Sequence, residues 1–284
     1  MRIEVGDAGR RLQLLDGKHV ALGSFASLRG LFSGSVFLVA SGPSVAEFPM
    51  SRYRDWPMLA MNGSILRFLE EGVRPLFYLC DDKGVAQHKG RAVADGIRHA
   101  RYAALGLSSL EQVERHSPAV LHEGELFLLE RANRLHGQAE LSDRLFAWRN
   151  RHNPAMAVQC SLLHQKRNRI GFSRDLAQGY FNARTIAYAA LQLACHLGFS
   201  RVFMVGVDMN PAQGQFYDPE GKVVPSRLDD DWDDYILPSF ELLGGKVLGP
   251  DFQVFNLSRQ SRIPETLIPK LGWDRLDVAL QPAG

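Results

Sequence analysis

Cysteine is scarce in this chain of 284 residues, which has three: Cys80, Cys160 and Cys195. They are odd in number, far apart and set among apolar neighbours. That excludes a disulfide framework and fits no metal-ligand spacing, so all three read as reduced core residues of a cytosolic protein. Long apolar runs are also missing, and no stretch approaches the ~20 residues of a membrane span. The first residues, MRIEVGDAGRRLQLLDG, alternate in charge and contain no apolar core of a signal peptide. A dominant charge is absent too. With 33 Lys and Arg against 31 Asp and Glu, net charge is +2, so no global field recruits nucleic acid or membrane. No repeat or low-complexity segment occurs. What remains is a soluble or at most membrane-peripheral α/β chain, long enough for one large domain or two small ones.

What is present is an alternation of apolar strand-like runs and helical stretches. Strands are predicted at Val36–Ala40, Met58–Met61, Leu76–Cys80, Ala119–Leu121, Val202–Val207 and Gln253–Asn256, after a possible strand pair at Leu12–Leu15 and His19–Leu22. The pattern implies a Rossmann-like α/β fold, a mostly parallel sheet with helices on both faces. Ligands of such sheets sit beyond the carboxyl ends of the strands. The residues that end the strands here are polar: Ser41, Asn62, Asp81, Asp82 and Asp208. Two segments break the alternation. Residues 131–176 are rich in Arg, His, Asn and Gln and predict a helical insertion with an exposed basic face. Residues 209–235 are dense in turn formers, aromatics and carboxylates, which suggests an active-site lid extending to about residue 240. The expected organisation is a single domain carrying both.

The first buried strand ends in Ser41-Gly42-Pro43-Ser44. A strand that stops at such a turn and opens into a helix presents free N–H groups and a positive dipole end to an anion, typically a nucleotide phosphate. Gly42 would let the backbone approach the ligand, Pro43 would fix the turn and Ser44 would cap the helix. An ordinary strand–helix turn has the same sequence, so the rest of the chain must decide.

The stretches VASGPSV, AMNGS and FYLCDD occur in order, followed by ARTIAYAALQLACHLGFSRVFMVGVD and FQVFNLSRQSRIP. This ordered set resembles the lipopolysaccharide-core Kdo (3-deoxy-D-manno-octulosonate) transferases of the third-Kdo type over nearly the whole chain. Over residues 36–81, 179–210 and 252–264 it is more distantly similar to bacterial sialyltransferases that use CMP-sialic acid. Both groups use a CMP-activated ulosonic acid, so the resemblance implies that donor, with no cofactor and no metal. It also implies a lipopolysaccharide inner-core or lipid A acceptor, reached from the cytoplasmic face of the inner membrane. Position by position, Ser41 and Gly42 match the turn that meets the nucleotide, and Asn62, beside Gly63, matches a strand-end Asn that contacts the donor. Thr185 matches the start of a donor-facing helix, and Asp208 matches the Asp of a Gly-Ile-Asp strand end. Asp81 stands where the sialyltransferases have another Asn. Their first lid Tyr is replaced by Asn210, their second falls at Phe216 or Tyr217, and no histidine follows His196 to serve as their general base.

Transfer from a CMP-ulosonic acid builds an oxocarbenium-like centre and frees a phosphate, so the site must stabilise charge, take a proton and exclude water. The phosphate is assigned to the Gly42–Ser44 turn plus Tyr217, and the cytidine or ribose to Asn62 and Asp81. The donor carboxylate goes to Arg174 or Arg184, either of which could hold it through two hydrogen bonds. Crowded carboxylates at Asp229, Asp230, Asp231, Asp233 and Asp234 could raise one pKa to that of a base. Asp231 falls nearest the sialyltransferase His, with Asp230 beside it. Adjacent Asp81 and Asp82 evoke metal-dependent sugar transferases, but their spacing does not match that motif. His88 is a possible base or phosphate contact. The basic run Arg149, Arg151, His152, Lys166, Arg167 and Arg169 suits an acceptor rich in carboxylates and phosphates. Rival readings are a transferase for another nucleotide-activated sugar, sialyltransferase-like in type, and a nucleotide-binding partner protein without chemistry.

Overall fold

The structure is a computed structural model that describes residues 1–6, 9–210, 214–216 and 228–281. Its strands are β1 (Arg2–Gly6), β2 (Gly9–Gln13), β3 (His19–Gly23), β4 (Ser35–Val39), β5 (Met58–Met61) and β6 (Phe77–Cys80). They continue with β7 (Tyr102–Gly106), β8 (Glu125–Leu129), β9 (Met156–Val158), β10 (Gly171–Ser173), β11 (Arg201–Val205) and β12 (Gln253–Asn256). The helices are α1 (Ile65–Glu71), α2 (Lys83–His88), α3 (Gly90–His99), α4 (Leu107–His116), α5 (Asp143–Asn150) and α6 (Ile186–Leu197). After them come α7 (Leu228–Asp231), running through a π turn at Trp232–Ile236 into α8 (Leu237–Lys246), and finally α9 (Trp273–Leu280).

Ten strands form one sheet in the order β1-β2-β3-β8-β7-β6-β5-β4-β11-β12. From β3 to β12 every neighbouring pair is parallel, and β1–β2–β3 add an antiparallel edge. This is the mostly parallel α/β sheet that the strand–helix alternation predicts. Strand β4 is buried end to end. Its residues alternate between the two faces, Val36 and Leu38 in one core and Phe37 and Val39 in the other, as a strand covered on both sides requires. Strand order reverses between β4 and β11. At such a switch point the loops leave in opposite directions and open a crevice.

Helix α6 covers one face. It is buried nearly all round, with Tyr188 edge-on to Phe172 and Phe240. His196, near its end, is a packed residue: Nε2 bonds Phe25 O at 2.8 Å and Nδ1 accepts the Leu176 N–H at 3.2 Å. Burial holds its pKa below the ordinary 6.5. The unfolded chain therefore binds the proton first, and stability falls as pH drops through 6.5 towards the native value. Denaturant midpoints at pH 7 and pH 5 should differ more for the wild type than for His196→Asn.

Several local expectations are corrected. Ala119–Leu121 is not a strand: Pro118 opens a 3₁₀ helix over Pro118–His122, because proline pre-sets its first φ and lacks the N–H a ladder needs. The sheet instead gains β7 and β8. Residues 131–176 are not a helical insertion throughout. They hold α5, the antiparallel pair β9–β10 and a 3₁₀ turn at Gln165–Arg169. Cys80 is buried, and burial pushes its thiol up to about 11, but Cys160 is exposed and is no core residue. Tyr217 and much of the 209–240 lid lie outside the described residues.

Candidate functional site

The loops after β4, β5, β6 and β11 and the start of α6 enclose a cavity of about 740 Å³ at the switch point. Ser41, Gly42, Asn62, Asp81, Asp82, Arg184, Thr185, Asp208 and Asp231 all line it. Sequence reasoning named these residues separately, and the fold brings them together. Pro43, Ser44, Gly63 and Asp230 do not line it, and the Arg174 guanidinium instead bonds Lys246 O at 3.1 Å.

The turn after β4 is built differently from the expected anion cradle. It continues into a one-turn 3₁₀ helix, Pro43–Glu47, and Ser44 does not cap it. Its amides are consumed internally: Gly42 N–H by Gly206 O at 2.9 Å, Ser44 N–H by Asp208 Oδ2 at 3.0 Å and Val45 N–H by Gly42 O at 3.1 Å. Pro43 has no N–H to offer. Ser44 Oγ donates to Asp208 Oδ1 at 2.6 Å and lies 2.7 Å from Ser258 Oγ. Buried Asp208 therefore ties the loop after β11 to the loop after β4. Glycine at position 42 is dictated by that junction, since a Cβ there would stand 2.3 Å from Asp208 Oδ2 and 2.5 Å from Gly206 O. Within Ser41–Val45, only the Ser41 N–H has no acceptor among the described residues.

Asn62 follows β5 with φ at +49° and holds a buried Oδ1 that has no hydrogen-bond partner among the described residues. Such an orphan acceptor is costly unless a ligand supplies a donor. The Asp81–Asp82 pair diverges. Asp82 caps α2, accepting from Gly84 N–H at 2.8 Å and Val85 N–H at 3.1 Å, so its carboxylate is committed to the helix. Asp81 turns towards the cavity and packs so closely on Gly106 that a Cβ there would fall 1.8 Å from Oδ1. Its Oδ2 accepts a short hydrogen bond from Tyr180 and lies 3.5 Å from Asn182 Nδ2 and 3.7 Å from Arg131. Burial outweighs these donors and raises the Asp81 pKa above the usual carboxylate range. Burial also pushes the Tyr180 phenol up, so it stays a donor.

Arg184 sits at φ +62°, 3.8 Å from Asp231 and over the Tyr235 ring. The acidic run is not a mutually repelling cluster. Asp229 pairs with Arg262 at 2.5 Å, Asp231 with Arg184, and Asp234 with Lys166. Sequence reasoning missed Lys83, Arg131, Tyr180 and Asn182, which line the cavity with Arg184 and His88. Lys83 begins a helix at a strand end, a signal available in the sequence. Arg131 and Tyr180 are set side by side by an isolated bridge between distant segments, which no local pattern announces.

No group of three or more His, Cys, Asp or Glu side chains is arranged to hold a metal among the described residues. Nor is any described helix long and apolar enough to cross a membrane.

The sequence profile of the family described as 3-deoxy-D-manno-octulosonic acid transferase WaaZ matches residues 29–273. A probable 3-deoxy-manno-octulosonic acid transferase of Salmonella typhimurium (strain LT2) is 29% identical over 84% of this chain and 86% of its own. One of the same description from Escherichia coli (strain K12) is 26% identical, over 84% and 82%. The solved MAf glycosyltransferase of Magnetospirillum magneticum AMB-1 shares 17% identity at a TM-score of 0.46, over 84% of this chain and 36% of its own, so the chain spans about a third of that protein. With so much of its length matched, the chain belongs to the 3-deoxy-D-manno-octulosonic acid transferase WaaZ family of glycosyltransferases.

Proposed function

We propose that the cavity binds CMP-Kdo and transfers Kdo, with inversion and without a metal, to a lipopolysaccharide inner-core or lipid A acceptor at the cytoplasmic face of the inner membrane. The observation that carries the reading is the orphan Asn62 Oδ1 in a cavity ringed by Lys83, Arg131 and Arg184. An amide acceptor left without a donor suits a base or ribose N–H or O–H. Guanidinium and ammonium groups suit the phosphate and the sugar carboxylate. The cationic side chains and the Ser41 N–H take over the task first assigned to the Gly42–Ser44 amides, while Asp208 and Ser44 hold the turn in shape. Thr185 and Arg184 face the donor from the start of α6, and Tyr217 remains assigned to the phosphate.

In a single displacement the acceptor oxygen attacks the anomeric carbon. The bond from that carbon to the CMP phosphate oxygen breaks, and its electron pair leaves on CMP. The acceptor proton must pass to a base. Asp231 and Asp230 are the bases the resemblance suggests, but Asp231 is paired with Arg184 and Asp230 lies outside the lining. Asp81 suits the role better, as a cavity carboxylate whose proton affinity is raised by burial. Purified protein should release CMP from CMP-Kdo only when acceptor is present. A thermal shift with CMP but no turnover would indicate a binding protein, and turnover with another CMP-sugar alone would reassign the donor. Asn62→Ala should raise the CMP Kd by about tenfold, and an unchanged binding isotherm would remove Asn62 from the site.

A further inference from the structure

We infer that the surface built by α5 and the loop 160–167 docks onto an anionic lipid bilayer. Four large apolar side chains stand out on it: Leu145 at 38% exposure, Trp148 at 52%, Leu162 at 77% and Leu163 at 89%. Leu145 and Trp148 are three apart, so they share one face of α5, while Ala147 points inward and is fully buried. The Arg144 guanidinium donates to Leu162 O at 2.9 Å, and Arg169 pairs with Asp143 at 2.6 Å. These two bonds join helix and loop into one patch. An exposed Leu-Leu tip beside an exposed Trp is apolar surface that water disfavours and that no other part of the described chain covers.

Charge selects the occupant. Residues 141–170 carry Arg144, Arg149, Arg151, Lys166, Arg167 and Arg169 against the single carboxylate Asp143. Arg169 is neutralised by Asp143 and Lys166 by Asp234, whereas Arg144, Arg149, Arg151 and Arg167 have no carboxylate partner among the described residues. Arg151 folds over the Trp148 ring at 4.3 Å. Asp233, Asp234 and Glu241 line a cleft of about 580 Å³ together with Leu163, Lys166 and Arg167, so they temper that end, whereas Arg144 and Arg149 on α5 have no carboxylate partner among the described residues. Apolar tips ringed by guanidiniums that no described carboxylate neutralises are complementary to acyl chains beneath anionic phosphates, with Trp at the boundary. A protein partner's apolar groove would satisfy the leucines but leave the arginines unanswered.

The inference rests on the membrane-borne acceptor proposed above only for its purpose, and its test needs neither donor nor acceptor. Full-length protein is sedimented with vesicles of phosphatidylglycerol and phosphatidylcholine, and separately with phosphatidylcholine alone. Wild type should partition onto the anionic vesicles, with a blue shift of tryptophan emission that Trp148→Phe abolishes. Leu162→Asp with Leu163→Asp should weaken partitioning about tenfold or more while leaving CMP binding and the melting temperature unchanged. Arg149→Gln with Arg151→Gln should weaken it and flatten its salt dependence. Equal binding of wild type and both variants would overturn the inference, as would equal binding to neutral vesicles. So would a wild-type dimer that ignores vesicles and is split by the double Asp variant, since the patch would then belong to a second copy. Loss of CMP-Kdo turnover with vesicle binding intact would count against the donor reading alone.

Discussion

Asp81→Asn should lower kcat by about 10²–10⁴-fold while leaving the CMP Kd close to wild type. The substitution keeps the shape of the side chain against Gly106, and the amide oxygen can still accept from Tyr180. What it removes is the ability to take a proton. Burial raises the Asp81 pKa above the usual carboxylate range, so a base at this position becomes competent only as pH rises through that raised value. The wild-type kcat/KM profile should therefore show an acidic limb displaced upward from the ~4 of an ordinary carboxylate, and the Asn protein should lack it. If Asp81 instead reads the ribose, Asn will raise KM and leave the limb in place. Tyr180→Phe offers a check in the opposite sense. Without the donor that stabilises the Asp81 carboxylate, the limb should move further up.

Gly42→Ala should abolish donor binding and destabilise the fold by about 1–3 kcal/mol. The new methyl would overlap Asp208 Oδ2 and Gly206 O, and both are rigid: one is pinned by Ser44 N–H and Oγ, the other is backbone. The loops after β4 and β11 would have to part, which moves Ser41 away from Asn62. A melting temperature lowered by several degrees together with a lost CMP isotherm is the expected pair of results. Retention of both would show that the junction gives way cheaply. Asp208→Asn should reproduce part of the effect, since an amide can accept only one of the two bonds that Ser44 donates to the carboxylate.

The parallel strands β4, β5, β6, β11 and β12 and the helix α6 are legible in the chain. Buried parallel strands are continuous apolar runs, and α6 is apolar nearly all round. The missed strands have a physical cause as well. Tyr-Ala-Ala-Leu-Gly at β7 has little β-propensity of its own and is a strand because it lies between β6 and β8. The reverse error, a strand at Ala119–Leu121, gave an apolar triplet more weight than the proline that precedes it.

Ser41, Asn62, Asp81 and Asp208 could be picked out from sequence because polar residues ending apolar runs mark the carboxyl edge of a parallel sheet. Their division of labour could not. Whether an amide is free or spent, whether Asp81 or Asp82 faces the cavity, and which arginine stands near which carboxylate depend on contacts between residues such as Ser44 and Asp208, 164 positions apart. Local pattern determined the α/β sheet and the edge where the cavity opens, because strand periodicity and turn chemistry are properties of neighbours in the chain, and the family followed from the resemblance of the ordered stretches. Only the packed fold decided that Asp208 and Ser44 lock the first turn, that Arg131 and Tyr180 reach Asp81, and that Leu162 and Leu163 stand in water, because burial and pairing are set by segments that meet only after folding.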